Sequence, residues 1–294
     1  LSGKGGTGKT TIASAFIKLS NIKAFADCDV DAPNLHLIMD RAVKPKETDF
    51  YGLGKAEIDT NLCTECDLCR QNCRFNAIRY DGSYKVNYYA CEGCGVCEAI
   101  CPVGAAVLKP AIAGDLMLYL DEEVFSTAQL RMGNGNSGLL VTEVKKQMKS
   151  VDTDSEFAII DGSPGIGCPV IASLSGVDMV LIVAEPSLSG ISDMQRIIGT
   201  AQRFQVKSAV CVNKYDTNLE NTAKIESICQ QLNLPFVGKI PFDSKAIEAI
   251  NNGSTIVEVD CIAGRATKEV FTKTMEILNR DFKKAILVKH ERLS

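Results

Sequence analysis

Eight of the chain's thirteen cysteines fall between residues 63 and 101, as one pattern written twice. Cys63, Cys66, Cys69 and Cys73 form the first run; Cys91, Cys94, Cys97 and Cys101, followed by Pro102, form the second. Each reads C-x2-C-x2-C-x3-C, and the second run repeats the first 28 residues later. Three thiolates so closely spaced wrap three corners of an iron–sulfur cube, and the fourth of each run reaches across to the other cube. The spacing predicts two 4Fe–4S clusters. One is held by Cys63, Cys66, Cys69 and Cys101, the other by Cys91, Cys94, Cys97 and Cys73. Two other readings fit less well. Disulfide frameworks belong to small secreted domains in an oxidising compartment, whereas this chain has 294 residues and its other cysteines are scattered singly. Zinc sites pair two C-x2-C hooks, which leaves the third and fourth cysteine of each run unexplained.

These cysteines constrain the fold around them. The unit that carries them, residues 58–109, has few large apolar side chains to build a core, so metal binding there is expected to supply folding energy. Two hairpin-like pieces, Ala77-Ile78-Arg79-Tyr80 and Lys85-Val86-Asn87-Tyr88, and the internal pseudo-repeat fit a ferredoxin-like unit. The rest of the chain is ordinary: 46% hydrophobic and 23% charged residues. A net charge of −4 argues against nonspecific nucleic-acid binding, which needs a basic surface. No apolar run approaches the length of about 18 residues that a membrane span requires. Reduced thiols in such number point to a reducing cytoplasm, and exposed clusters to an anaerobic prokaryote.

A second motif stands at the start of the chain. Gly3-Lys4-Gly5-Gly6-Thr7-Gly8-Lys9-Thr10 satisfies the phosphate-loop pattern G-x4-G-K-[ST]. Its glycines let successive N–H groups face phosphate, and the helix begun by Thr11 (Ile12, Ala15, Phe16, Leu19) adds its positive end. Lys9 would lie against the β- and γ-phosphates and Thr10 would ligate Mg²⁺. Such a loop follows a buried strand, and only Leu1 and Ser2 precede it, so a few N-terminal residues are expected to be missing. Downstream, apolar strands alternate with helical stretches, which predicts a doubly wound parallel α/β sheet with ligand at the carboxyl ends of its strands.

Lys4 makes the loop K-G-G-x-G-K-[ST], which resembles the deviant Walker A motif of the MinD/ParA/nitrogenase-iron-protein group. The resemblance implies that Lys4 crosses a dimer interface to phosphates bound by a partner subunit. Ala26-Asp27-Cys28-Asp29-Val30-Asp31 looks like that group's first switch, which points to Asp29 as the residue orienting the attacking water. Phe157-Ala158-Ile159-Ile160-Asp161 resembles a Walker B strand, followed by Gly162-Ser163-Pro164-Gly165 as the second switch, with Asp161 holding Mg²⁺ through water. Two later strands, at 179–184 and 208–212, continue the plan. The resemblance implies that Asn213 hydrogen-bonds adenine. It also implies that the segment Phe236 to Asp243 packs beside the base, bringing Pro241 and Asp243 to the nucleotide.

Taken whole, the sequence is similar to MinD-superfamily P-loop ATPases containing an inserted ferredoxin domain. The expected organisation is an ATPase domain from 1–57 and 110–294 interrupted by a cluster domain at 58–109. The expected cofactors are ATP, Mg²⁺ and two 4Fe–4S clusters, and the expected partners are a second copy of the chain across ATP and a redox protein. The leading function is an ATP-operated redox switch; alternatives are an iron–sulfur carrier or assembly ATPase, and a MinD-like positioning ATPase that senses redox state. Mrp-type carriers use a C-x-x-C near the C-terminus, and none stands here. Cys168 follows Asp161 by seven residues, where the nitrogenase iron protein has a ligand to its bridging cluster, but the glycine-rich loop Gly133–Gly138 offers Asn134 where a second ligand would be needed. Cys28, Cys211, Cys229 and Cys261 read as core residues. The apolar stretch Val270, Met275, Ile277, Leu278, Phe282, Ile286 and Leu287, interspersed with Arg280, Lys283 and Lys284, reads as a helix packed on the sheet rather than on a membrane.

Overall fold

The computed structural model describes residues 1–3, 5–39, 43–151 and 155–291, with side chains described through Asn279. Its strands are β1 (Ala24–Asp27), β2 (Lys46–Tyr51), β3 (Lys55–Ile58), β4 (Ile78–Tyr80), β5 (Tyr84–Val86), β6 (Ala106–Lys109), β7 (Ile112–Leu120), β8 (Val124–Leu130), β9 (Ile159–Asp161), β10 (Met179–Ala184), β11 (Lys207–Asn213) and β12 (Phe236–Ile240). Its helices are α1 (Lys9–Ser20), α2 (Leu68–Gln71), α3 (Val96–Ala99), α4 (Ser137–Lys149), α5 (Cys168–Leu174), α6 (Leu188–Arg203), α7 (Leu219–Gln231), α8 (Ser244–Asn251) and α9 (Ile262–Glu291).

Two sheets, ordered β2-β7-β8-β1-β9 and β10-β11-β12, are joined edge to edge by Leu1 and Ser2. Ser2 pairs in parallel with Pro164 beyond β9, while Leu1 N donates to Leu181 O at 2.9 Å and Val183 N to Leu1 O at 2.9 Å. The phosphate loop therefore springs from the middle of one broad sheet. Strands β8, β1 and β9 run parallel, as do β10, β11 and β12. The expected parallel sheet holds for these six strands, and β7 departs from it by running antiparallel to both β2 and β8. The reason is the connection. Asp121 to Glu123 turn the chain directly from β7 into β8, and a parallel return would need a crossover of a dozen or more residues.

Side chains of the parallel strands are buried on both faces, which is why these segments read as unbroken apolar runs. On one face Ala24 and Ala26 of β1 pack under α4, and Ile182, Val210 and Val212 pack under α6 and α7. On the other, Phe25 stacks on Phe125 at 5.0 Å, and Ala209 and Cys211 meet α1 and α9. Phe16 of α1 meets Phe271 of α9 edge to face at 5.1 Å. Val270 is buried in that layer and Ile277 packs against it, so the first half of α9 lies on the sheet. The side chains of Arg280, Phe282, Lys283, Lys284, Ile286 and Leu287 lie outside the described residues. No helix among the described residues is long and apolar enough to cross a membrane.

The cysteine-bearing lobe grows from the antiparallel edge of this sheet. Beyond β2 and before β7 the chain forms the ladder β3–β6, which opens with Lys55 opposite Lys109, slightly ahead of the boundary expected at Ile58. The lobe continues through the short helices α2 and α3 and the hairpin β4–β5. Its buried cluster is small: Ala56, Ala77 and Cys91, with Cys73, Val86, Cys97 and Leu108 partly covered.

Candidate nucleotide site and cysteine cradles

At the first site, the loop from Gly5 to Thr11 borders a cleft of about 440 Å³ that is also lined by Asp29, Asn34, Asn213 and Pro241. Gly8 has φ +86, and a Cβ there would stand 2.2 Å from Asn213 Nδ2, so glycine is required on both counts. Among the described residues no side chain caps α1, which leaves its first N–H groups facing the cleft as donors for an anion. The Thr7 hydroxyl is buried and finds no hydrogen-bond partner among the described residues, and a phosphate oxygen would satisfy it. Lys4 lies outside the described residues.

Asp161, at the end of β9, gathers the loop. Lys9 Nζ donates to Asp161 Oδ1 at 2.7 Å and Thr10 Oγ1 to Asp161 Oδ2 at 2.6 Å. Two hard oxygen ligands suited to Mg²⁺ thus stand beside the lysine that would meet phosphate. Asp29 lines the same cleft, and its partial burial raises its carboxyl pKa while the Lys9 charge pulls it down.

One residue carries more than the sequence reading assigned to it. Asp27 ends β1 directly opposite Asp161 in the parallel register, fully buried. Its carboxylate accepts from the backbone N–H groups of Asp29, Asn34 and Leu35, each at 3.0 Å, and so shapes the segment that presents Asp29. Burial pushes the Asp27 carboxyl pKa up, and the Asp161 charge adds to the rise. The clue was an acid ending each of two adjacent strands. The two switch-like segments are laced directly: Cys28 N donates to Asp161 O at 2.8 Å, and the Ser163 hydroxyl donates to the Cys28 carbonyl.

On the far wall, Asn213 Nδ2 donates to Thr7 O at 2.8 Å and Lys214 Nζ to Gly6 O at 3.1 Å, so both side chains brace the phosphate loop. Pro241 borders the cleft. Asp243 borders it too; its carboxylate also accepts from Lys245 N at 3.0 Å and Ala263 N at 3.2 Å at the starts of α8 and α9, and these donors hold its pKa below the usual range.

The eight clustered cysteines line two separate small cavities. Cys63, Cys66, Cys69 and Cys101 surround one; Cys73, Cys91, Cys94 and Cys97 surround the other. Both cavities therefore draw on both runs. Backbone donors point at the sulfurs: Ala105 N to Cys101 Sγ at 3.2 Å, Ala56 N to Cys91 Sγ at 3.4 Å and Ala77 N to Cys73 Sγ at 3.4 Å. Such donors favour thiolate over thiol, and backbone N–H groups lower the Cys101 pKa. Burial pushes the Cys69 and Cys97 thiols up. Among the described residues no three His, Cys, Asp or Glu side chains converge as a single metal ion would require.

Between the two sites lies the glycine-rich loop. Gly133, at φ +75, packs on the Tyr89 ring of the cysteine lobe, and Gly135 packs on Glu92. Gly138, in the first turn of α4, packs on Cys168, which is exposed at the start of α5 just beyond the second switch-like segment. Further along α4 the buried Lys145 donates to the carbonyls of Ala172 and Ser173, at 2.9 and 3.0 Å, and to that of Ser175. Helices α4 and α5 are tied at both ends. Cys28, Cys211, Cys229 and Cys261 are buried in the sheet's cores.

Comparison with known proteins agrees with this architecture. Residues 1–256 match the model of the CobQ/CobB/MinD/ParA nucleotide-binding domain. An uncharacterised protein of Methanocaldococcus jannaschii is 33% identical over 289 residues, covering 95% of this chain and 96% of its own length. An ATP-binding protein of the same organism is 25% identical over 278 residues, covering 92% of this chain and 84% of its own. The septum site-determining protein MinD of Pyrococcus horikoshii, solved in complex with Mg-ADP, superposes with a TM-score of 0.57 at 16% identity, with 95% of each chain covered. The chain belongs to the CobQ/CobB/MinD/ParA nucleotide-binding family and is a P-loop ATPase.

Proposed function

We propose that this ATPase is a nucleotide-operated redox switch in which two 4Fe–4S clusters occupy the cysteine-lined cavities. The observation that carries the reading is the partition of the thiols, four round each cavity, with each set mixing the two sequence runs. Backbone donors aimed at three of the sulfurs suit anionic, metal-bound thiolates. When bound, such clusters supply one-electron redox chemistry.

At the nucleotide end, α1 and the loop backbone would bind the phosphates of ATP, with Thr10 and Asp161 holding Mg²⁺. Lys9 would neutralise charge on the transferring phosphoryl group, Asp29 would orient water, and Asn213 and Pro241 would border the base. Lys4 would complete the site of a second copy of the chain, which makes ATP the bridge of a homodimer. Lys9 cannot serve phosphate and Asp161 at full strength together. Nucleotide entry would loosen their contact and shift the segment from Asp161 to Cys168. That segment rests on Gly138, and the loop before it rests on Tyr89 and Glu92 of the lobe, which gives the motion a route to the cysteine cradles.

The test is anaerobic purification with iron, acid-labile sulfide and ATPase assayed on the same sample. Two four-iron clusters per chain are expected, with Lys9→Ala abolishing turnover and leaving the iron in place. Absence of acid-labile sulfide ends the proposal. A second reading, favoured by the likeness to MinD, is an ATPase that positions other molecules while its lobe senses redox state. ATP-dependent co-sedimentation with lipid vesicles would select it.

A further inference from the structure

Lys55 is the first residue of β3, at the root of the cysteine lobe, and only 6% of it is exposed. Its Nζ donates to the carbonyl of Cys91 at 2.6 Å and stands 5.2 Å from the centroid of the Tyr88 ring. Among the described residues no carboxylate lies within ion-pairing distance of it. The next residue, Ala56, donates its N–H to Cys91 Sγ at 3.4 Å, so one dipeptide grips Cys91 by both its carbonyl and its sulfur.

A buried ammonium without a counter-charge is costly, and a methionine would fill the same space without that cost. The charge makes sense if an anion lies close by. The cavity ringed by Cys73, Cys91, Cys94 and Cys97 is where such an anion would sit. The other cradle is built differently. Its nearby cation, Arg70, is half-exposed and held by both oxygens of Asp67, at 2.7 and 2.5 Å, and Asp67 itself lines the cavity. That charge is cancelled and solvent-screened. Glu92 borders the Lys55 cradle but is exposed, so water weakens its opposing field. Backbone dipoles around Cys101 assist the first cradle, but they carry no net charge.

We propose that Lys55 is a tuning residue that selectively raises the electron affinity of the cradle formed by Cys73, Cys91, Cys94 and Cys97. The inference rests on the proposal that this cradle holds a 4Fe–4S cluster. The redox step makes and breaks no bond: one electron arrives from a low-potential one-electron reductant and adds one negative charge to the site. A fixed cation next to the Cys91 peptide stabilises that added charge in a low-dielectric setting, where Coulomb interactions are least screened. Glu92, which lines this cradle, also meets Gly135 of the glycine-rich loop, so the favoured electron would rest on the side facing the ATPase.

The experiment is an anaerobic reductive titration of the full chain, followed by electron paramagnetic resonance, for the natural protein, Lys55→Met, Lys55→Gln and Lys55→Arg. Iron and acid-labile sulfide are measured on each sample. With cluster content unchanged, K55M and K55Q should shift one of two midpoints to lower potential and leave the other in place, and K55R should restore it. If all four proteins carry clusters and neither midpoint moves, the inference is overturned while the cluster reading stands. If both neutral variants lose iron and only K55R retains it, Lys55 is structural and the tuning role is wrong. If the natural protein carries no acid-labile sulfide, the underlying reading fails and takes this inference with it.

Discussion

The two halves of this molecule are held together by different physics. The nucleotide half buries large side chains on both faces of its sheet, among them Phe25, Phe125, Leu140, Met194 and Ile197, each almost wholly inaccessible to solvent. The apolar residues that the cysteine lobe buries are chiefly alanines, Ala56, Ala77, Ala105 and Ala106, with Ile78, Tyr84 and Cys91 the larger ones, beside the charged Lys55. Apolar burial contributes about 25 cal/mol per Å², and an alanine has little area to give. One half can fold by excluding water; in the other, the proposed clusters would supply the stability that so small a core lacks. The sharpest way to break this contrast is to remove the metal that the proposed function places in the lobe. Anaerobic chelation should lower amide-exchange protection in β3 to β6 by about 1000-fold or more, equivalent to at least roughly 4 kcal/mol, while β1 and β9 to β12 keep theirs. Equal loss in both halves would show that the lobe and the sheet fold as one unit.

The converse experiment injures only the sheet. Asp161→Asn leaves Lys9 buried without its counter-ion, a change expected to cost about 3–5 kcal/mol. Thermal unfolding should report that loss, with iron content unchanged. The neighbouring Asp27 adds a pH signature. Its carboxyl pKa is raised in the folded state, so the folded chain binds a proton more tightly than the unfolded chain does. Stability from this group is therefore greatest below the ordinary aspartate pKa, falls as pH rises toward the raised folded value, and stays at its lower level beyond it. Asp29, also raised by burial, acts in the same direction. Amide exchange in β1 and β9, followed from the acid side toward neutrality, should show protection declining, and Asp27→Asn should flatten that decline. A rise of protection with pH would mean that the backbone donors to Asp27 outweigh its burial.

The same contrast explains what could be read in advance. The cysteine repeat from Cys63 to Cys101 sits at short, fixed spacings along the chain, so the proposed cluster chemistry can be read without knowledge of the fold. The phosphate loop is equally local. Sheet order is not local. That β7 runs against its neighbours depends on the tight turn at Asp121–Glu123, whose polar residues read as any surface loop. Asp243 lines the cleft beside Pro241, but that its carboxylate also caps α8 and α9 is a partnership set by where two helices begin in space. The bracing of Thr7 by Asn213 spans 206 positions of sequence, and no periodicity announces it. Lys145 is harder still: a lysine in an amphipathic helix reads as surface, and only the arrival of the α5 carbonyls makes it interior.

Lys145 offers a test of the tie between the regions. Lys145→Met keeps the length of the side chain but strips three carbonyls at the end of α5 of their donor, at an expected cost of about 1–3 kcal/mol. If α4 carries nucleotide state toward the lobe, the ATP-induced change in exchange protection at Tyr89 and Glu92 should shrink more than the global stability does. An equal fall in both would make Lys145 a strut and nothing more.

The smallest and most selective perturbation is Gly133→Ala. The residue holds φ +75, and an added Cβ would stand 2.8 Å from the Tyr89 ring, so strain and displacement together should cost about 1–2 kcal/mol. Neither Lys9 nor any cluster-lining cysteine touches Gly133, so basal ATP hydrolysis and iron content should both remain as in the natural protein. What should change is communication, read as the shift that Mg-ATP produces in the cluster signal of the reduced protein. If loop and lobe are merely adjacent, the alanine will push Tyr89 aside and the nucleotide-dependent shift will be unchanged. If the loop transmits, that shift should diminish while each half works on its own, because the substitution alters only the surface where the glycine-rich loop meets the cysteine lobe.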